Sequence, residues 1–310
     1  MKRMVWTAVL LAMAAAPVWS ASLGSSARTI IPSEVQQIIS VDYRALRSSS
    51  TAMALKERVL PENLKQFETA LRGMGLDLDQ DVDQLDFISF RDGSTLHTIG
   101  IAQGQFPTTQ FARRMAVRKV KPAKYRLADL YPAASGMQMT FLDPATMLFG
   151  DAASVKLALD TRDGELPSLN TNSRIADLMG GIEDGTVWSV LDANGTQNMM
   201  RSALGDASRL ADYDTVKKRL VGSRYTMNFS GGVNLDLDVF TSDSFTAGAL
   251  SSLVKAGVLY RKLSATGVEK VALDSVTVNN DSDKLRLRFK TDDSRFESLL
   301  KSDLFAAVSK

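Results

Sequence analysis

The chain of 310 residues contains no cysteine and a single histidine, His97. The lack of cysteine excludes disulfide bonds, a lipid-modified N-terminal cysteine and thiolate metal ligands. With one histidine, a zinc site would need carboxylates for nearly all its ligands, so we expect no metal site and no cofactor. His97 shares a predicted strand face with Ile99 and Ile101, which favours a structural role for it.

The common catalytic and nucleotide-binding motifs are also missing. The sequence has no G-x-S-x-G elbow, which would expose a serine nucleophile, and no glycine-rich phosphate loop. Two S-x-x-K strings, at Ser252 and Ser298, lie within helical patterns and lack the downstream motifs of penicillin-binding enzymes. We therefore predict no catalytic residue. An envelope hydrolase that acts through unrecognised carboxylates remains the alternative.

Excess charge of either sign is absent from the predicted mature chain. The full sequence has 37 Lys and Arg against 35 Asp and Glu, and loss of Lys2 and Arg3 would leave 35 of each. Because nucleic-acid binding needs clustered excess cations, we predict no nucleic-acid partner. The cationic run 113–124 is interpreted as a solvated helix face, with an anionic membrane or polymer as the alternative.

A long apolar run is lacking too, because the N-terminal one extends only from Met4 to Ala16 before Pro17. A run this short after Lys2 and Arg3 is typical of a signal peptide. Cleavage between Ser20 and Ala21 would remove 1–20 and send the chain to the periplasm or outside the cell. A retained membrane anchor is the alternative, and the mature chain is predicted to have no transmembrane segment.

Hairpin and helix signals recur in the same order in two stretches of the chain. We predict an α+β fold of antiparallel sheets, built from hairpins with helices packed on them, in two similar tandem halves, 34–182 and 183–310. Residues 21–33 are polar and are predicted to form a flexible lead-in. Landmarks matched at offsets of 137 to 150 positions support the repeat: Gly93 and Gly232, Pro144 and Asp281, Asp151 and Asp293, Asp42 and Asp192.

Four alternating aspartates, Asp77, Asp79, Asp81 and Asp83, suggest a calcium loop. The twelve-residue pattern fails, because Val82 stands where the turn needs glycine and Ile88 where a bidentate glutamate belongs. We interpret the aspartates as helix caps in a solvated connection.

The sequence around the boundary between the two halves resembles that of a known group of proteins. The strings FGDAASVKLALDTRDG (149–164), SLN (168–170), TVWSVLD (186–192) and LGDASRLADYDTVKKR (204–219) resemble a group of exported proteins of Gram-negative bacteria. The resemblance implies an exported, repeat-built protein, and it brings no activity, ligand or catalytic residue.

A predicted helix over 245–263 is the most apolar feature of the mature chain. It mixes large apolar residues with Ala247, Gly248 and Gly257. A central core helix is the simpler interpretation, and the wall of a ligand cavity is the alternative, with Leu250, Leu253, Val254 and Val258 as candidate lining residues. We expect a non-enzymatic protein that binds an envelope protein or an amphiphile. A structural assembly protein is a further alternative.

Overall fold

The computed structural model describes residues 22–205, 213–265 and 267–302 of the chain. Twelve β-strands lie within these residues: β1 (Val35–Asp42), β2 (Val82–Asp92), β3 (Thr95–Gly104), β4 (Ala123–Tyr125), β5 (Ala128–Pro132), β6 (Met137–Asp143), β7 (Thr146–Asp151), β8 (Val187–Asp192), β9 (Leu220–Asn228), β10 (Val233–Thr241), β11 (Val276–Asp281) and β12 (Lys284–Thr291).

Thirteen α-helices occupy the same described residues: α1 (Ser25–Ile30), α2 (Tyr43–Arg47), α3 (Ser50–Val59), α4 (Glu62–Met74), α5 (Leu78–Asp81), α6 (Thr108–Val117), α7 (Ala152–Arg162), α8 (Ser173–Met179), α9 (Ala193–Leu204), α10 (Tyr213–Lys217), α11 (Ser244–Ser264), α12 (Gly267–Asp274) and α13 (Asp293–Leu300). None of these helices combines the length and the apolar character needed to cross a membrane.

All the strands belong to one antiparallel sheet, in the order β11-β12-β10-β9-β8-β1-β2-β3-β7-β6-β5-β4. The predicted α+β class with antiparallel hairpins is therefore confirmed. Strand β1 lies at the centre, where Ile38 is opposite Ile88 of β2 on one side and Val190 of β8 on the other. The two predicted halves thus contribute to one continuous sheet.

The strands of the two halves follow each other in the same spatial order outward from the centre. In 34–182 this order is β1-β2-β3-β7-β6, with β5 and β4 added at the edge. In 183–310 it is β8-β9-β10-β12-β11. In each half the first three strands are neighbours in sequence order. The last hairpin of the half then pairs with the third strand through its second strand, so its first strand lies farther from the centre. The interpretation of this order as a duplication stays a prediction.

The two faces of the sheet carry different helices. We call the face with Ile38, Ile88 and Leu148 the front face, and the face with Phe87 and Phe149 the back face. On the front, α1, α7 and α8 cover the first half of the sheet and β8. On the back, α2–α6 with α12 and α13 cover the first half, while α9–α11 cover the second.

The lead-in predicted to be flexible is instead part of the core. Residues 25–30 form α1, and Leu23, Ala27 and Ile30 are buried against the front face. These apolar residues have helical spacing, but the serines and threonine between them hide the pattern. Arg28 also pairs with Glu183 at 2.9 Å, which ties α1 to the start of the second half.

Asp292 caps the last helix, since its side chain accepts from the backbone N–H of Arg295. Helix α10 stops at Lys217, and Leu220 begins β9. The predicted signal peptide, 1–20, and its predicted cleavage point between Ser20 and Ala21 lie outside the described residues.

Candidate ligand-binding site

Helix α11 is seated on the back face of the second half of the sheet. The side chain of Asp243 caps it by accepting from the backbone N–H of Thr246 at 2.8 Å. Hydrogen bonds from the backbone and hydroxyl of Thr246 and from Ser242 hold the pKa of Asp243 well below its usual range. Ala247 and Leu250 are fully buried, so the first half of the helix packs closely on the sheet.

The contact opens toward the C-terminal half of α11. A cavity of about 320 Å³ lies between this part of the helix, α9 and the strands β10 and β12. Its lining is apolar except at one end, where Tyr260 and Arg261 lie. The other lining residues are Met200, Ala203, Leu204, Leu237, Val254, Gly257, Val258, Leu285 and Leu287. Gly257 contributes no side chain, which leaves room at the middle of the helix.

The structure brings two of the four predicted cavity residues to this site. Val254 and Val258 line the cavity, whereas Leu250 and Leu253 belong to the packed cluster around Val239 and do not line it. The sequence pattern could not separate the two pairs, because all four lie on the buried side of the helix. The lining residues from β10 and β12, such as Leu237 and Leu287, were missed, since their alternation predicts only a half-buried strand.

Other depressions on the described part of the chain are less suited to an apolar ligand. A space of about 40 Å³ near Tyr43 and Phe149 is too small for an organic ligand. A larger depression of about 460 Å³ is formed by loop residues, and only Phe106 among its lining residues is a large apolar side chain. The cavity under α11 is therefore the best candidate for an apolar ligand.

His97 lies beside a serine and an aspartate, but the arrangement is that of a helix cap. The hydroxyl of Ser154 donates to Asp151 and lies 3.2 Å from Nδ1 of His97, and Asp151 caps α7. Burial alone would raise the pKa of Asp151, but hydrogen bonds from Ser154 and Ala153 lower it. Ser154 is fully buried, and Asp151 bonds to the serine, not to the histidine as a catalytic triad requires.

The two S-x-x-K serines donate within their own helices. The hydroxyl of Ser252 bonds to the carbonyl of Gly248 in α11, and that of Ser298 to the carbonyl of Ser294 in α13. Both are exposed i to i−4 contacts, which are common for serine in helices.

The alternating aspartates have separate local roles. Asp77 caps α5, Asp79 accepts from the hydroxyl of Tyr43, and Asp83 pairs with Arg44. Within residues 22–205, 213–265 and 267–302, no group of three or more His, Asp or Glu side chains is placed to hold a metal ion.

The cationic run 113–124 has a structural task that the sequence did not reveal. The guanidinium groups of Arg114 and Arg118 donate to the carbonyls of Gly75 and Gly73 at the end of α4. Cations at a helix C-terminus satisfy carbonyls that lack an intrahelical partner. Two residues of the run therefore link the α6 region to the end of α4 through hydrogen bonds.

A buried polar cluster at the centre of the front face was also missed. Asp86 is fully buried and accepts hydrogen bonds from the amides of Gln84 and Gln103 at 2.9 and 3.0 Å. Burial, partly offset by bonds from Ser40, Gln84 and Gln103, raises the pKa of Asp86 to about 6. A signal was present in the sequence, since Asp86 alternates in phase with the apolar residues Ile88 and Phe90 of the same strand.

Comparison with known proteins finds structures of similar fold and indicates no activity. No protein-family model and no curated protein matches the chain. Two solved structures of the treponemal protein TP0453 share the architecture. Crystal form I has a TM-score of 0.50 at 10% identity and covers 92% of this chain and 99% of its own. Crystal form III has a TM-score of 0.51 at 9% identity, with 88% and 96% covered. At such identity the likeness shows the fold alone.

Proposed function

We propose that this is an exported, non-enzymatic protein that binds an apolar or amphiphilic molecule between α9, α11 and the sheet. The observation that carries the proposal is the cavity of about 320 Å³, whose walls are apolar side chains from two helices and two strands. Ligand pockets in proteins span about 300 to 1,000 Å³. The space therefore lies at the small end of the range for an organic ligand.

The apolar lining also gives a reason for the cavity to be occupied. Apolar surface left in contact with water costs about 25 cal/mol per Å². An apolar ligand would remove that surface from water. Its polar end, if it has one, would lie beside Tyr260 and Arg261 at the one polar end of the lining.

Export is proposed from the N-terminal sequence. Lys2 and Arg3, the short apolar run and the small residues before Ala21 support a signal peptide that places the protein in the periplasm or outside the cell. In secreting cells, N-terminal sequencing of the envelope fraction should then begin at Ala21. Recovery of the uncleaved chain in membranes would instead favour the anchor.

The tandem repeat is proposed as the origin of the two halves. The equal strand order, β1-β2-β3-β7-β6 and β8-β9-β10-β12-β11, supports a duplication. The helix positions support it in part, because α7 follows β7 as α13 follows β12. The ligand cavity would then be a specialisation of the second copy.

The ligand proposal is tested with N-phenyl-1-naphthylamine, a neutral fluorophore that brightens in apolar pockets. We expect the purified protein to bind it and Val254→Phe, which fills the cavity, to weaken binding about tenfold or more, equal to about 1.4 kcal/mol. The matched control is Val117→Phe, at a side chain of α6 that is 83% exposed. Equal affinity of the two variants, or no binding by the parent protein, would contradict the proposal.

A further inference from the structure

The two edges of the described sheet differ in how open they are to further pairing. Edge strand β4 has three residues, follows Lys121 and Pro122, and contains Lys124. Short length, proline and lysine are the features that block pairing at natural edges. Edge strand β11 has six residues, Val276–Asp281, and contains neither proline nor lysine. The β11 edge is therefore the one that can accept another strand.

The register shows which backbone groups of β11 point outward. The N–H of Thr241 in β10 donates to the carbonyl of Asp283, so alternate residues of β12 from Leu285 onward bond toward β10. The other residues of β12, such as Lys284 and Arg286, direct their backbone hydrogen bonds toward β11. Their partners there are the backbone groups of Asp281, Asn279 and Thr277. The backbone groups of Val276, Val278 and Asn280 consequently face the open side.

A cleft runs beside this edge on the back face. Its volume is about 300 Å³, and it is lined by Val276 and Val278 of β11 and by Lys255, Val258, Leu259 and Lys262 of α11. Leu259 is 63% exposed. The cleft thus combines an apolar floor with a cation toward each end and an edge strand at its side.

We propose that β11 and this cleft bind an extended acidic peptide, which pairs with β11 as an additional strand and directs carboxylates to Lys255 and Lys262. Strand addition to an exposed sheet edge derives its affinity from backbone hydrogen bonds and its specificity from alternate side chains. Lys262 already pairs with Asp274 at 2.8 Å, so the carboxylate near it would join an existing ion pair.

The spacing of the cations sets the pattern of the peptide. Lys262 lies seven positions after Lys255, which is about 10.5 Å along a helix. In a strand, side chains at i and i+4 share a face and lie about 13.6 Å apart, a difference that lysine side chains can span. An apolar residue at i+2 would then meet Val258 and Leu259. The favoured motif is acidic, apolar, acidic at alternate positions.

A second copy of the chain fits this edge less well. If β11 paired with β11 of another copy about a twofold axis, both α11 helices would lie on the same face of the joined sheet. The Lys255 and Lys262 side chains of one copy would then face those of the other across the axis, and like charges oppose association. An acidic peptide meets the same groups with opposite charge.

The test uses a fluorescent heptapeptide, Thr-Glu-Thr-Val-Thr-Glu-Thr, and fluorescence anisotropy with the full purified protein. We expect binding that weakens about tenfold or more in Lys255→Glu, and a peptide with lysine for both glutamates should not bind. Lys290→Glu is the matched charge control, because Lys290 is exposed on the front face of β12.

Asn280→Pro tests the strand pairing itself. It removes the outward N–H without removing a bond to β12, a position where an edge strand tolerates proline. We expect it to abolish binding while Asn280→Ala retains it, with unchanged melting of both variants. Peptide binding that survives Asn280→Pro, or that Lys255→Glu leaves intact, would overturn the proposal. Loss of a concentration-dependent dimer in Asn280→Pro, with no peptide binding by the parent protein, would assign the edge to a second copy instead.

Discussion

The two halves of the sheet bury their faces differently. In the first half, strands β2, β3 and β7 lie between helices on both faces, and side chains such as Ile88 and Leu148 are fully buried. Beyond β8, the core clusters of the second half lie on the back, and the front of β10 and β12 carries ion pairs, with Asp238 bonded to Arg286 at 2.9 Å and Asp236 to Arg288 at 2.8 Å.

The difference follows from where the helix after the last strand of each half packs. Helix α7 packs on the front through Val155, Ala158 and Leu159. Helix α13 occupies the same place in the chain order but packs on the back, through Phe296 and its neighbours, against α3 and α12. The front of β10 and β12 therefore has charged side chains where the first half has apolar ones.

This contrast distinguishes a closely packed first half from a second half that has space for a ligand. The sheet of the first half is covered on both faces, and its depression of about 460 Å³ lies among loops and the ends of α5 and β3. The second half holds the cavity of about 320 Å³, the cleft of about 300 Å³ and the open edge at β11. Elements with fewer packed neighbours are the ones able to open for a ligand at low cost. Three predictions test this separation.

The largest effect is expected from truncating the core of the first half. Leu148→Ala should lower the free energy of unfolding by about 3 to 4 kcal/mol, because Leu148 is fully buried among packed side chains. Leu287→Ala, beside the cavity in β12, should cost about 1 to 2 kcal/mol, since little packing is lost. Urea denaturation measures both, and equal losses would remove the contrast.

The buried carboxyl of the first half should make stability depend on pH. Because the pKa of Asp86 in the folded protein is about 6, against an ordinary value of 3.8, the folded state favours the protonated form. This stabilisation is fully present below about pH 4 and is lost as the pH rises through about 6. Two pKa units correspond to about 3 kcal/mol.

Asp86→Asn should therefore flatten the decline in stability between pH 4 and pH 7, as followed by urea denaturation. Asp236→Asn, on the solvent-facing front of the second half, is the matched control and should leave that decline in place. A decline that is unchanged in Asp86→Asn would show that Asp86 is not its source.

The smallest effect is expected at the caps of α7 and α13, the helices that follow the last strand of each half. Asp151→Ala should cost about 1 kcal/mol at neutral pH, because Asp151 caps α7 and also accepts from the buried Ser154 hydroxyl. Since its pKa is lowered in the folded protein, this stabilisation is present above about pH 4 and is lost on acidification. Asp292→Ala at the exposed cap of α13 should cost less. Thermal melting ranks the two, and a larger loss at Asp292 would reverse the expected order.

Much of the secondary structure could be predicted from local signals. The Asp92–Gly93 dipeptide and the alternation around it predict a hairpin, which β2 and β3 form, and Pro61 and Gly75 stand at the two ends of α4. The burial of Leu23, Ala27 and Ile30 could not be predicted, because it depends on Glu183 and on the distant helix α7. The cavity was only half predicted, since its opposite wall comes from Leu237 and Leu287 on strands far from α11 in sequence.

By itself, the sequence determined most of the segments that are helices or strands and which side of each strand is apolar, because these properties depend on periodicity and turn residues a few positions apart. It also determined the charged front of the second half, through the alternating residues of β10 and β12. Only the tertiary structure decided that β1 joins β8, that α7 and α13 take opposite faces, and that α11 leaves space beside it. Those outcomes depend on packing between segments distant in the chain, where size and shape of many side chains act together.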